Sequence, residues 1–301
     1  MHWHWMHRAR LTAWLIVLIG LCGCASNSSS DQRLSYRSEE FRAELRERVP
    51  TLSGELGRPP FEVTRDISIL AERRVMSAPP GASRVRALVS FLSDPKPTGL
   101  GLKYDWAVSA NAKATIKSGR GDCVALATVL VGLGRSLGWP IYFAEARTLT
   151  PITHEFREVT VLSDHMVVIV LAKSVRMSID FLGLVEEGVD IRPIDDLTAY
   201  AHLINNVAGQ RVLNEKGADL MAVWSVAQKG FELATQIEPR LGRAWNNLGI
   251  AYTRLGQFDQ ARLAYQRAVE LDTAFGSAEH NLMIMETRVR GGTTMIESKL
   301  P

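Results

Sequence analysis

The chain has 301 residues, of which 46% are hydrophobic and 22% are charged. This composition is typical of a globular protein, and the length suffices for about two domains. Basic and acidic residues nearly balance, with a net charge of +3, which argues against a nucleic acid partner.

The first residues predict a segment for export. Arg8 and Arg10 form a positive start, and an apolar run from Leu11 to Leu21 follows them. That run is too short to span a membrane and suits a signal peptide that is cleaved. Loss of the two arginines with this leader would lower the net charge from +3 to +1.

The end of the run, Leu21-Cys22-Gly23-Cys24, resembles the lipobox of bacterial lipoproteins. The resemblance implies that residues 1–23 are the signal peptide and that Cys24 is the lipidated N-terminus. Ala25 stands where an acidic residue would favour the inner membrane, which implies a lipid anchor on the periplasmic face of the outer membrane. Residues 24–40 would form the lipidated tether. The alternative is a plain secretory signal with a chance cysteine.

Cysteine usage singles out one thiol. Of the three cysteines, Cys22 would be removed and Cys24 lipidated, which leaves Cys123 as the thiol of the mature chain. An oxidising compartment normally pairs cysteines in disulfides. A lone thiol in an exported protein is therefore either buried and inert or a nucleophile.

Apolar spacing predicts helices in the first hundred residues. Apolar residues at i, i+3, i+4 and i+7 make one stripe along a helix, and that stripe packs on a core. Segments rich in proline and glycine separate the predicted helices. Their apolar residues are Phe41, Leu45 and Val49, then Ile67, Leu70 and Ala71, and then Val85, Leu88, Val89 and Leu92.

Residues 122–137 are apolar on almost every side, so we expect a helix buried in the centre of a domain. Gly138 ends this helix and Pro140 blocks its continuation. Helices followed by an antiparallel sheet predict an α+β domain. The predicted strands are 141–146, 165–171 and 175–181.

The C-terminal third carries the pattern of a tetratricopeptide repeat, which is a pair of helices in ~34 residues. Stacked pairs present a concave surface, which suits a protein or peptide partner. The alternative is an appendage that packs and binds nothing. The residues that fit the central unit are Trp245, Leu248, Gly249, Tyr252, Ala261, Tyr265 and Ala268. Neighbouring units are predicted from Ala227, Phe231, Ala234 and Pro239 upstream and from residues 278–285 downstream.

Cys123 is expected in the first turn of the buried helix. Gly119 and Gly121 permit a tight turn before it, and Asp122 is expected to cap the helix. The positive end of the helix dipole favours a thiolate, although the charge of Asp122 opposes it. The N–H groups beside the sulfur could hold an oxyanion. This position is typical of a nucleophile.

A nucleophilic thiol needs a base and a group that orients the base. We expect the second and third strands to form a hairpin that turns at Ala172-Lys173, with Leu171 facing Ser174. In that register His165 lies directly opposite Asp180 on one face of the sheet. Asp180 would then fix the imidazole, and His165 would deprotonate the thiol.

The chain resembles the transglutaminase-like superfamily, which has a papain-like fold. The resemblance rests on Gly-Asp-Cys at the start of an apolar helix, a histidine at a strand start and an aspartate on the next strand. Over residues 65–285 the chain is similar to a bacterial group of exported members that carry tetratricopeptide repeats. The resemblance implies an α+β papain-like domain at 41–197, followed by an all-α tetratricopeptide-repeat domain at 198–301.

The resemblance also implies a catalytic triad of Cys123, His165 and Asp180 that forms a thioester from an amide. Tyr104 and Trp106 are candidates to support the oxyanion. Hydrolysis of the thioester is favoured over transfer to an amine, because water abounds and neither an amine site nor a calcium-binding cluster is evident.

Other roles stay open. The α+β domain could be a catalytically inactive scaffold, with the repeats binding an envelope partner. A peptidoglycan amidase would differ only in its substrate. No cofactor or metal is predicted, since His154-Glu155 lacks the second histidine of a zinc-protease motif.

Overall fold

The computed structural model describes residues 33–52, 54–147, 152–156, 159–163, 165–172, 175–183, 189–215, 219–271 and 277–297. The predicted signal peptide and the predicted lipidation site, Cys24, lie outside the described residues. So does most of the predicted tether, whose last residues begin the first helix.

Helices surround and follow a sheet. Before and beneath the sheet they are α1 (Ser38–Arg48), α2 (Arg65–Met76), α3 (Ala82–Ser93), α4 (Ala112–Ser118) and α5 (Cys123–Ser136). After it they are α6 (Asp196–Asn214), α7 (Leu220–Ile237), α8 (Gly242–Arg254), α9 (Phe258–Leu271) and α10 (Ser277–Glu297). The helices expected from apolar spacing are therefore confirmed as α1, α2, α3 and α5.

One residue of the predicted apolar stripes is misplaced. Leu70 on α2 is 48% exposed, whereas Ala71 and Val75 are buried. Because α2 lies at the surface, it buries a narrow stripe of residues four apart, and the i+3 position falls outside that stripe.

The strands are β1 (Lys103–Tyr104), β2 (Arg120–Gly121), β3 (Ile141–Arg147), β4 (Ile152–Phe156), β5 (Val159–Ser163), β6 (His165–Ala172), β7 (Val175–Ile179) and β8 (Asp190–Pro193). The main sheet has the order β7-β6-β3-β8, and each neighbouring pair is antiparallel. The short strands β1 and β2 pair in parallel, and β4 and β5 form a separate hairpin. A mixed α+β region before a helical region is thus confirmed.

The hairpin of β6 and β7 differs from expectation by two residues. Ala172 faces Val175, so the expected turn at Ala172-Lys173 and the direct pairing of His165 with Asp180 are wrong. Alanine and lysine are not favoured residues of a two-residue turn, so the sequence does not hold the hairpin in the expected register. A shift of two residues keeps every side chain on its expected face, because side chains alternate with period two. The histidine and the aspartate become diagonal neighbours.

The helix α5 is the centre of the α+β region. Every residue from Cys123 to Gly134 is buried, as the apolar sequence predicts. It packs on the face of the main sheet that carries Phe143 and Val168. The opposite face carries a smaller apolar cluster that includes Ala146 and Val167.

The helix α6 packs into the same core. The ring of Tyr200 lies 5.7 Å from that of Phe41 on α1, centroid to centroid. Arg135, near the end of α5, donates two hydrogen bonds to the buried carboxylate of Asp196, at 2.7 and 2.8 Å. The predicted boundary between residues 197 and 198 falls in the first turn of α6.

The C-terminal helices pack as pairs, α6 with α7 and α8 with α9, and α10 continues the array. Two glycines allow the paired helices to approach closely. A Cβ atom on Gly249 would lie 2.6 Å from the ring of Tyr265, and one on Gly230 would lie 2.7 Å from the Cβ of Ala208. Neither distance is sterically possible, so both positions need glycine in this packing.

Candidate functional site

The side chain of Cys123 lies at the start of α5 and is buried, with 4% exposed. Gly119 ends α4 with a φ of 72°, which is a left-handed conformation that favours glycine. A Cβ on Gly121 would lie 2.7 Å from that of Ala125, so this position also requires glycine. The tight turn expected before the thiol is therefore confirmed.

Asp122 caps α5, as predicted, by accepting a hydrogen bond from the N–H of Ala125 at 2.8 Å. Its second oxygen accepts hydrogen bonds from the hydroxyl of Ser109 and from the amides of Asn206 and Gln210, the latter two at 3.0 and 3.3 Å. Burial raises the pKa of this carboxyl group, and the four hydrogen bonds oppose that shift. The result is a buried polar cluster directly beside the thiol.

Amides on α6 also hold the loop that precedes the thiol. Gln210 donates to the carbonyl of Trp106 at 2.8 Å and accepts from the N–H of Ser109. Asn214 donates to the carbonyl of Ala107 at 3.1 Å. No sequence motif predicts these contacts, because they join residues about a hundred positions apart.

The structure brings His165 and Asp180 together. Nε2 of the buried imidazole is hydrogen-bonded to Oδ1 of Asp180, which also accepts from the N–H of Leu182 at 2.8 Å. Within the described residues, Nδ1 of His165 is buried and has no hydrogen-bond partner. A carboxylate on Nε2 favours the tautomer with hydrogen on Nε2 and a lone pair on Nδ1.

Segment lengths favour a position of His165 at the end of the α+β region where Cys123 lies. Gly134 on α5 lies against Ile141, from which β3 runs back along the helix. Five strand residues and eleven helix residues each cover about 17 Å. Ala146, which pairs with His165, is therefore level with Cys123.

The side chains of His165 and Cys123 nevertheless belong to different layers of the fold. His165 shares the sheet face of Ala146, whereas α5 packs on the opposite face.

A second buried histidine also has a carboxylate partner. Nε2 of His202 on α6 lies 2.6 Å from Oε1 of Glu145 on β3. His202 is one turn before Asn206, which contacts Asp122, so this pair lies on the α6 side of the site. Sequence reasoning missed it, because neither residue stands in a motif.

The two candidates for oxyanion support differ in their surroundings. Tyr104 is half-buried, and burial, followed by the electrostatic influence of Cys123, Asp122 and Asp105, raises the pKa of its hydroxyl. Its phenol is therefore protonated at neutral pH and close enough to the thiol to interact electrostatically. Trp106 is 46% exposed.

The predicted repeat signature occupies one helix pair. Trp245, Leu248, Gly249 and Tyr252 lie on α8, and Ala261, Tyr265 and Ala268 lie on α9. A family model for the tetratricopeptide repeat matches residues 242–273, which confirms the central unit. This repeat indicates a protein-binding role.

A comparison with curated proteins finds no match to this chain. Among the residues that the structure describes, none of the helices has the length and apolar character needed to cross a bilayer.

Proposed function

We propose that this protein is a cysteine enzyme of transglutaminase-like, papain-like fold that cleaves amide bonds through Cys123, His165 and Asp180. The buried Nδ1 atom of His165 carries this proposal. A buried polar atom without a hydrogen-bond partner is costly, and such atoms call for an explanation. In this proposal Nδ1 lacks a partner because it is the base that accepts the proton of the thiol.

The proposed reaction has two steps. His165 accepts the thiol proton at Nδ1, and Sγ of Cys123 attacks the amide carbonyl carbon. The C–N bond breaks, the amine leaves with that proton, and a thioester remains. Water then attacks the thioester, giving the carboxylic acid and restoring the thiol, while an amine in place of water would give a transferred acyl group.

Two groups support the developing oxyanion in this proposal. The N-terminus of α5 presents backbone N–H groups beside the sulfur. The protonated hydroxyl of Tyr104 is a side-chain donor near the same point. Trp106 is too exposed to serve as a buried donor.

We further propose export and lipid anchoring at Cys24, which would place the enzyme on the periplasmic face of the outer membrane. The lipobox resemblance supports this proposal. Labelling of cells with radioactive palmitate tests it: the protein should carry label, and the Cys24→Ala variant should not.

Alkylation of Cys123 by iodoacetamide across a range of pH tests the triad on the chain that begins at Ala25. The rate should rise with a midpoint well below the ordinary thiol value of ~8.5. His165→Ala should return the midpoint to that value, and Asp180→Asn should return it in part.

His202→Ala is the matched control, because it also removes a buried imidazole that is bound to a carboxylate. It should leave the alkylation midpoint unchanged. An alkylation midpoint at or above ~8.5 that is unchanged in His165→Ala would contradict the proposed enzymatic function. The repeats would then carry the function, as a scaffold that binds a protein partner. An alkylation midpoint that changes in His202→Ala would contradict the assignment of His165 as the base.

A further inference from the structure

A cavity lies at the opposite end of α5 from the thiol. Its volume is about 650 Å³, and α5 contributes Gly132, Arg135 and Ser136 to its lining. Arg135 is twelve positions after Cys123, which is about 18 Å along a helix. Small-molecule sites typically occupy about 300–1,000 Å³. The cavity therefore has the size of a ligand site and is separate from the proposed catalytic residues.

Close packing and hydrogen bonds hold the lining of this cavity in place. Phe61 lies so near α5 that a Cβ atom on Gly132 would be 2.0 Å from the carbonyl oxygen of Phe61. The guanidinium of Arg135 lies over the Phe61 ring, 4.6 Å from its centroid, and is fixed by the carboxylate of Asp196. The same carboxylate accepts a hydrogen bond from the N–H of Tyr36, which also lines the cavity, at 2.9 Å. A ligand would therefore meet a preorganised site, which lowers the cost of binding.

The arginines that line the cavity already have carboxylate partners within the protein. Arg33 and Arg37 each lie 2.7 Å from an oxygen of Glu40. Arg135 forms an ion pair with Asp196 at the same distance, 2.7 Å. Arginine binds phosphate through the same fork of N–H groups that binds a carboxylate, so an anionic ligand would have to displace these partners. The lining therefore favours a neutral ligand.

Other polar groups of the lining have hydrogen-bonding capacity left. One oxygen of Glu62 accepts from Arg42 at 3.0 Å, and the other accepts from Lys113 at 3.4 Å. A carboxylate oxygen has two lone pairs, so each of these oxygens keeps one for a further donor. The hydroxyls of Ser35 and Ser38 form no hydrogen bond among the described residues. These groups suit a ligand with several hydroxyls, because a hydroxyl both donates and accepts.

Two half-buried aromatic side chains, Trp139 and Tyr142, also line the cavity. Neither the indole N–H nor the phenol hydroxyl is hydrogen-bonded within the part of the chain that the structure describes. The face of an aromatic ring carries partial negative charge, which attracts the slightly positive hydrogens of C–H groups. A pyranose ring whose hydroxyls are all equatorial has C–H groups on both faces and hydroxyls around its edge. The lining therefore matches this kind of sugar.

We propose that this cavity binds a neutral glycan built from sugars with equatorial hydroxyls, such as glucose or N-acetylglucosamine. A sugar ring packs on Trp139 or Tyr142, and neighbouring hydroxyls of the glycan donate to the two oxygens of Glu62. The inference does not rest on the proposed function, because no step of the amide chemistry involves these residues. Binding at one end of α5 would hold the protein on a polysaccharide while the thiol at the other end stays accessible.

Isothermal titration calorimetry with chitotetraose and cellotetraose tests the site on the chain that begins at Ala25. At least one of these neutral glycans should bind, and Trp139→Ala should weaken its binding at least tenfold. Glu62→Gln should weaken it at least threefold, because an amide has one acceptor oxygen where the carboxylate has two. Phe258→Ala is the control, since it removes an aromatic side chain that is 40% exposed on α9, and it should leave binding unchanged.

Thermal unfolding followed by circular dichroism checks that each variant keeps its fold. This check matters most for Trp139→Ala, because Trp139 also packs against the core. Glu62→Gln changes the side chain without changing its volume, so it decides the outcome if Trp139→Ala unfolds.

Three results would overturn the proposal: no binding of either neutral glycan, wild-type binding by the folded variants, or tighter binding of an anionic heparin tetrasaccharide. Cys123→Ala should bind the neutral glycan as the wild type does, because the cavity lies about 18 Å along α5 from the thiol. Loss of binding in Cys123→Ala would overturn the assignment of the glycan to this cavity. The glycan site can therefore fail while the triad stands, and the triad can fail while the glycan site stands.

Discussion

Asp122 combines two opposing effects at one residue. Its carboxylate places a negative charge beside the proposed nucleophile, which disfavours a thiolate there. The same carboxylate collects hydrogen bonds from α5, from the preceding loop and from α6. The residue therefore opposes thiolate formation while it holds the surrounding elements in place.

The variant Asp122→Asn should separate these effects. Its amide nitrogen would face the donors of Asn206 and Gln210, so we expect a loss of about 1–3 kcal/mol in the free energy of unfolding. The alkylation midpoint of Cys123 should fall, because a negative charge is removed. Urea unfolding and the pH profile of alkylation measure the two changes.

Ser109→Ala is the control for this variant, since it removes one donor and keeps the charge, and it should cost less stability. Because burial raises the pKa of Asp122, the free energy of unfolding of the wild type should fall as pH rises from the unfolded-state pKa to the raised one, whereas Asp122→Asn, which does not titrate, should lack this fall. Equal stability of Asp122→Asn and the wild type at neutral pH would contradict the charged cluster.

For single residues, the sequence predicts the features that depend on neighbouring positions in the chain. The capping aspartate, the two glycines and the thiol at the helix start lie within five residues, and each follows from backbone chemistry. The contacts of Asn206 and Gln210 with Asp122 join residues 84 and 88 positions apart. They depend on how α6 docks, which no local pattern encodes.

Among the helices, two glycines of similar appearance in the sequence have different roles. Gly249→Ala would force a Cβ against the Tyr265 ring, and overpacking of this kind costs about 1–3 kcal/mol. Gly209 lies inside α6 with open space around it, so Gly209→Ala should raise stability by about 0.5–1 kcal/mol.

Thermal unfolding of the two glycine variants, measured side by side, checks this difference in sign. A stabilising Gly249→Ala would mean that α8 and α9 are less closely packed than described. A destabilising Gly209→Ala would mean that α6 has a neighbour at that point.

Strand pairing shows why an element can be predicted while its register is not. A continuous apolar run marks β6, apolar residues alternate with polar ones in β7, and the period of two along a strand fixes which side chains share a face. It does not distinguish registers that differ by two residues, because both keep the same faces. His165 and Asp180 were therefore correctly expected on one face, although they are diagonal rather than opposed.

For the whole molecule, the shared core predicts how truncated chains behave. A chain of residues 33–197 would lack Tyr200 and Leu203, which pack in the same core as Phe41. We expect it to show no cooperative unfolding transition in urea. A chain of residues 33–240 keeps α6 and α7 and should unfold cooperatively.

A cooperative transition of the shorter chain at the wild-type midpoint would contradict the shared core and support a boundary at 197. Composition and apolar spacing could predict the α+β region and the repeats. They could not predict that α6 serves both, because its apolar residues cover more than one side and the sequence does not say what each side contacts.

A hydrogen bond joins α1 to the end of α7, although most of the chain lies between them in sequence. Arg48 on α1 donates to the backbone carbonyl of Ile237 at the end of α7, 189 positions away, at 2.7 Å. During synthesis α1 cannot complete its contacts until residue 237 has emerged. Contacts of such long sequence separation slow folding, so the N-terminal segment remains open to chaperones and proteases until the chain is nearly finished.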